Sequence, residues 1–126
     1  MNALAQKTAV VASWQTDPGH GWLMISEDQM RLVGMYADDF SPFSYKNFER
    51  IERGAAAPGR WFYALEEDLD AAIFLAEAKR QGIPVITTSI HKEGDHYIRT
   101  WQPINGRTWE QWRSVRDEIV GRYARQ

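Results

Sequence analysis

The sequence predicts an α+β fold: a mostly antiparallel sheet of about five to six strands with three helices, in the order ββα(β)βαββα. Three observations predict it. Runs of β-branched and aromatic residues are broken by turn clusters at 17–20, 92–95 and 105–107. Residues 67–82 carry apolar side chains at 3–4 spacing, with acids first and Lys79 and Arg80 last. Thr108 and Gln111 form a capping box at the start of a final segment with one aromatic face. The 126 residues are read as one domain, 1–126, long enough to bury a core without disulfides or metals.

Residues 8–15, TAVVASWQ, are β-branched and run into a turn, which predicts the first strand. In the following DPGH, Pro18 second and Gly19 third is the type II pattern, with φ > 0 expected at Gly19. GWLMI, 21–25, is then the partner strand of a hairpin. Ser26 caps a short helix over 27–35, with Glu27 and Asp28 at its positive end and Met30, Leu32 and Val33 on its apolar side. Residues 36–45, YADDFSPFSY, read as an irregular aromatic loop, because Ser41 before Pro42 resists helix. Residues 44–53 fit either a helix or an edge strand, and pairing of 45–51 with 61–66 as a hairpin is preferred.

GAAAPG, 54–59, is a loop, and RWFYALE, 60–66, is the clearest strand. The helix over 67–82 ends on Gly82 as its cap, with Pro84 beyond. VITTSIH, 85–91, is a strand that KEGD turns back into a second strand at 96–104. The last helix covers about 109–124. Trp109, Trp112, Val115, Ile119 and Tyr123 mark its buried face, and Arg113, Asp117 and Arg125 lie away from it. Trp14, Trp22, Trp61 and Trp101 are expected on strands, filling the core of the sheet.

Hydrophobic residues make up 44% and charged residues 25%, the balance of a soluble globular protein. The absence of cysteine excludes disulfides and thiolate metal sites and agrees with a reducing compartment. The start of the chain lacks the apolar run of a signal peptide, and no stretch approaches a membrane span. A cytoplasmic protein with no membrane partner is expected. Charge is unevenly spread. Up to Ile98 there are nine basic and fourteen acidic residues, and from Arg99 onward six Arg and three acids. The arginines read as a solvated helix face or as a patch for an acidic partner.

No dinucleotide glycine motif, phosphate loop, zinc-protease helix or serine-hydrolase elbow is present, so no cofactor is expected. His20, between Gly19 and Gly21, is either a polar turn residue or a general base open to a substrate. Glu66, Glu67, Asp68 and Asp70 cluster at a strand-to-helix junction, where acids stabilise a helix N-terminus or bind a hard cation. If strands 21–25 and 61–66 are antiparallel neighbours, His20 comes within about 4–6 Å of a carboxylate. His91 and His96 are expected to face each other across the KEGD hairpin, as surface residues more readily than as metal ligands. No metal is assigned. Tyr36, Phe40, Phe43 and Tyr45 either grip a partner or close over their own core.

Three stretches, GHGW at 19–22, SPFSY at 41–45 and LEEDLDA at 65–71, resemble a set of small uncharacterised bacterial, phage and plasmid proteins that carry similar stretches in this order. The likeness covers roughly residues 14–83 and is one of pattern. The resemblance implies a mobile-element setting and points to His20, Ser44, Tyr45, Glu66, Glu67 and Asp68. The expected function is that of a small non-enzymatic binding or accessory protein with a protein partner. By analogy, one version is an inhibitor of a host defence system. Its contact residues would be Tyr36, Phe40, Phe43, Ser44 and Tyr45, with Arg113 and Arg116 on the last helix. Two alternatives stand beside it: a small hydrolase or nuclease-like enzyme using His20 with the carboxylates at 66–70, and a weak nucleic-acid binder using the arginine helix.

Overall fold

A computed structural model describes residues 9–50 and 59–124, with the side chains of 50 and 122–124 outside that description. The loop expected at 54–59 therefore lies largely outside the described residues, as do Arg125 and the side chain of Tyr123. The fold is α+β. Strands β1 (Val10–Thr16), β2 (Gly21–Ser26), β3 (Tyr45–Arg50), β4 (Gly59–Glu66), β5 (Val85–His91) and β6 (Gln102–Pro103) form one sheet in the order β5-β1-β2-β4-β3-β6. Helices α1 (Glu27–Val33), α2 (Asp70–Arg80) and α3 (Trp109–Ala124) complete it.

Alternation decides the two faces of the sheet. Val10, Ala12, Leu23, Ile25 and Leu65 join Met30 and Val33 of α1, Phe74 and Ala78 of α2, and Trp112 and Ile119 of α3 in the main core. On the opposite face Trp22 and Ala64 pack under Ile98, with Tyr45 and Trp101 beside them. The helices end where the sequence supplies caps. Ser26 Oγ accepts the Gln29 N–H, and Gly34 at φ 79° closes α1 two residues earlier than expected. The Thr108–Gln111 box forms in both directions, at 3.2 and 2.9 Å. Glu77, buried on α2, accepts from Arg80 and Gln81 at 2.7 Å each, and Arg80 holds its carboxyl below the usual range. Gln81 also donates to the Val33 carbonyl at 2.6 Å, tying α2 to the end of α1.

The expected β3–β4 hairpin is present, with Tyr45 opposite Ala64, and β2 runs antiparallel to β4, with Trp22 opposite Glu66. Four expectations need correction. First, 85–91 and 96–104 do not form a hairpin. β5 lies parallel to β1, from Val10 beside Val85 to Thr16 beside His91. After the Gly94 turn the chain crosses the end of the sheet instead, because His96 N–H and the Arg99 side chain both bind Asp17. Residues 97–100 wind as a 3-10 turn, only 102–103 pair with β3, and Trp101 is not on a strand.

Second, α2 starts at Asp70 rather than 67. The Glu67 N–H donates to the Gly21 carbonyl at 3.1 Å, carrying the β ladder one residue beyond β4. Third, Gly19 does not have positive φ, so the 17–20 turn is not type II. Fourth, the four strand tryptophans do not share one core. Trp22 is buried, whereas Trp14, Trp61 and Trp101 are half-buried.

Candidate functional site: a cleft beside the 17–20 turn

Asp17, directly after β1, organises the turn from β1 into β2. Its Oδ1 accepts the backbone N–H of Gly19 at 3.0 Å and of His20 at 2.9 Å. This Asx-turn geometry does the work that positive φ at Gly19 was expected to do. Oδ2 accepts the His96 N–H at 2.9 Å, and Arg99 grips both oxygens. The Arg99 guanidinium, helped by these N–H groups, holds the Asp17 carboxyl well below the usual carboxylate range despite its burial. The glycines here provide space. A Cβ at Gly19 would lie 3.1 Å from Arg99 Nη2, and one at Gly21 would run into the Glu67 carboxylate.

His20 is exposed, and its partner is Arg99: Nη2 lies 3.2 Å from Nδ1. A guanidinium only donates, so Nδ1 accepts and the ring proton is assigned to Nε2. The ring stacks on Trp22 at a centroid distance of 6.0 Å and 19° between planes. Trp22 also meets Tyr45 edge-on and carries the Arg99 guanidinium 5.4 Å above its ring. Its Nε1–H is buried and has no acceptor among the described residues.

The acids at 66–70 separate by role. Asp70 is fully buried and accepts from Ser41 N–H, Ser41 Oγ and Ser44 Oγ. Burial pushes its carboxyl up, against the pull of the serines. Ser44 Oγ in turn accepts the Glu66 N–H at 2.9 Å. Glu66 Oε1 accepts the Asp68 N–H at 3.1 Å, and burial raises the Glu66 carboxyl as well. Glu67 and Asp68 are exposed, Glu67 beside Gly21. Asp70 does stand in the first turn of α2, but its carboxylate is taken up by the two serines, while the Glu66 carboxylate accepts N–H groups of the turn that leads into the helix.

His20, Trp22, Phe43, Tyr45, Glu66, Asp68, Leu69 and Arg99 line one cleft of about 410 Å³. GHGW, SPFSY and LEEDLDA thus converge in space, through side chains that touch or share this cleft. No carboxylate oxygen lies within 4.0 Å of a His20 ring nitrogen among the described residues. Neither Asp17 nor Arg99 is among the residues that the sequence singles out for this site. An Asp before Pro-Gly is a visible turn signal, but nothing in the local pattern names a partner 82 residues away.

The other sequence candidates fall elsewhere. Phe40 is in the main core, and Ser44 is fully buried, so neither offers a contact surface. Phe43 is 50% exposed and packs on Trp109 at 5.2 Å, while Tyr36 is exposed beside a separate hollow with Tyr63. Arg113 is exposed, Arg116 pairs with Asp117, and Arg107 donates to the Asp38 carbonyl. His91 and His96 do not face each other. His91 Nδ1 meets Thr16 Oγ1, while His96 is buried with Nε2 on Gln15 Oε1. Burial lowers its pKa. No group of three or more His, Asp or Glu able to hold a metal ion comes together among the described residues, and no described helix is long and apolar enough to cross a membrane. No protein-family model, curated protein or solved structure matches the chain.

Proposed function

We propose that this chain is a non-enzymatic binding protein that works through a protein partner, and that the cleft beside the 17–20 turn receives it. The observation that carries this reading is the make-up of the cleft. Its walls are aromatic or apolar at Trp22, Phe43, Tyr45 and Leu69, and Glu66 and Asp68 add carboxylates. Its reactive-looking groups are already held by one another. Arg99 is spent on Asp17, His20 Nδ1 on Arg99, and Ser44 on Asp70 and the Glu66 N–H. Apolar walls with a few fixed polar groups suit recognition. The partner's basic side chains would match the two acids. The mobile-element setting that the resemblance implies makes a host defence protein the first partner to try.

The test is capture by the tagged chain, wild type against the double variant Phe43→Ala/Tyr45→Ala and against Arg113→Ala. A stoichiometric protein lost with the double variant and kept with Arg113→Ala supports the reading. Equal capture by all three chains removes the cleft from it. One observation favours a second reading, acid–base hydrolysis: His20 and Glu66 share the cleft. Hydrolysis of ester or phosphodiester substrates by the purified chain, abolished in His20→Ala, would favour that enzyme instead.

A further inference from the structure

We infer that β5 is a self-pairing edge, through which two copies of this chain join their sheets antiparallel about Thr88. The surface is separate from the cleft. β5 pairs with β1 on one side, and no described strand pairs with its other side. Val10 N–H bonds the Pro84 carbonyl, and Lys92 N–H bonds the Thr16 carbonyl. In that parallel ladder the even-numbered residues of β5 serve β1. Residues 85, 87, 89 and 91 direct their N–H and C=O groups outward.

Edge strands are ordinarily protected by lysine, proline, a bulge or short length. VITTSIH has seven residues, no lysine, no proline and no carboxylate. Its side chains beyond Val85 are all exposed, Ile86 at 57% and Ile90 at 54%. Val11, 63% exposed, sits beside Ile86 on the neighbouring strand.

The sequence of the strand chooses the occupant. A two-fold axis through Thr88 sets Val85 opposite the partner's His91 and Thr87 opposite the partner's Ser89. These are the residues with outward backbone groups, so the parity is right for a hydrogen-bonded antiparallel ladder. The same axis sets Ile86 against the partner's Ile90, with Val11 flanking, and repeats this on the other side of Thr88. Isoleucine meets isoleucine on either side of the Thr88 pair on one face, and on the other Thr87 meets Ser89, with Val85 against His91 at the ends. A register shifted by two residues keeps the backbone bonds but sets Ile86 against a threonine. Only a second copy supplies the matching strand by necessity. A seven-residue edge is small for an interface, so the dimer forms with concentration rather than obligately.

The absence of native cysteine gives a clean test. Thr88 opposite its own symmetry mate is a non-hydrogen-bonded pair, with Cα atoms about 4.5 Å apart, inside the range a disulfide spans. Thr88→Cys is therefore expected to form an intermolecular disulfide under mild oxidation, and Thr87→Cys, facing a serine, is not. Wild-type chain is expected to move from monomer to twice the monomer mass in sedimentation between micromolar and millimolar concentration. Thr88→Lys, at an exposed position that leaves the fold intact by circular dichroism, is expected to remain monomeric. A wild type that is monomeric throughout, whether the edge is taken by solvent or by another protein, overturns the inference. So does cross-linking of Thr87→Cys as readily as Thr88→Cys.

Discussion

Arg99 reaches back across 82 residues to clamp Asp17, Nε to Oδ2 at 2.7 Å and Nη2 to Oδ1 at 2.9 Å. The pair joins the β1–β2 hairpin to the segment that covers the far face of the sheet. Its pH dependence has a definite sign. The folded Asp17 carboxyl titrates below its unfolded value, so its contribution is present above the unfolded pKa and lost as pH falls toward the folded one. Wild type should lose thermal stability steadily below about pH 4, the unfolded value of an aspartate. Asp17→Asn should start from a lower Tm at pH 7 and show a flatter acid limb. Parallel acid limbs in thermal scans of the two proteins would contradict this.

His96 adds a second slope at higher pH. It is buried, its Nδ1 accepts the Ile98 N–H at 3.1 Å, and its Nε2–H serves Gln15. Burial depresses its folded pKa, so the unfolded chain binds the proton first. That stability is full above about pH 6.5 and declines as pH falls through the folded value. Tm measured from pH 7.5 to 5 should fall in wild type. In His96→Gln it should be lower at pH 7.5 and nearly level over that range.

Ser44 holds two elements at once: it donates to Asp70 and accepts from the Glu66 N–H. Ser44→Ala leaves both groups buried with one partner fewer. It is expected to cost about 1–3 kcal/mol by urea unfolding. Ser41→Ala, which leaves the Ser41 N–H on Asp70 and releases only the part-buried Phe43 N–H where Ser44→Ala releases the buried Glu66 N–H, should cost less. Equal costs would mean that the Glu66 N–H does not depend on Ser44.

Trp112 is fully buried and donates Nε1–H to the Asp39 carbonyl at 3.2 Å. Trp112→Ala should cost about 3–5 kcal/mol. Arg113→Ala, one position on and exposed, should stay within about 0.5 kcal/mol of wild type in the same urea experiment. A small cost at 112 would mean that α3 does not pack by this face.

Where a local rule suffices, the sequence is legible. Ser26, Gly34, Thr108 and Gln111 announce helix ends because a cap is satisfied within a few residues. The β3–β4 pairing follows from a short connection and alternation, whereas β2 and β4, separated in the chain by α1 and β3, are neighbours only on a condition that the sequence leaves open. β5 defeats the same logic. A strand followed by Gly94 reads as half of a hairpin, whereas its partner is β1, seventy-five residues earlier at Thr16 and His91. The site divides in the same way. His20, Tyr45, Glu66 and Asp68 are brought to one cleft, His20 and the acids through the pairing of β2 with β4. Arg99 is held by burial and charge at long range, which no local spacing encodes. Ser44 and Asp70 look like surface chemistry in the sequence but bind each other inside.

The glycines of the 17–21 turn provide the last prediction. Gly21 has ordinary φ, and a Cβ there would run first into the carboxylate of Glu67, an exposed and flexible side chain, and then sit 3.2 Å from Thr16 Cγ2, which must give by only a few tenths of an ångström. Gly34 is the reverse case: nothing lies within 4 Å of its Cβ position, but its φ is +79°. Space can be made by moving Glu67, whereas a left-handed backbone cannot be moved without losing the cap of α1. Gly21→Ala should therefore lie within about 1 kcal/mol of wild type, helped by the lower entropy of the unfolded chain. Gly34→Ala should cost about 1–2 kcal/mol. If Gly21→Ala is the more damaging substitution in thermal unfolding, the Glu67 side chain is fixed in place, and the rim of the cleft is more rigid than its exposure indicates.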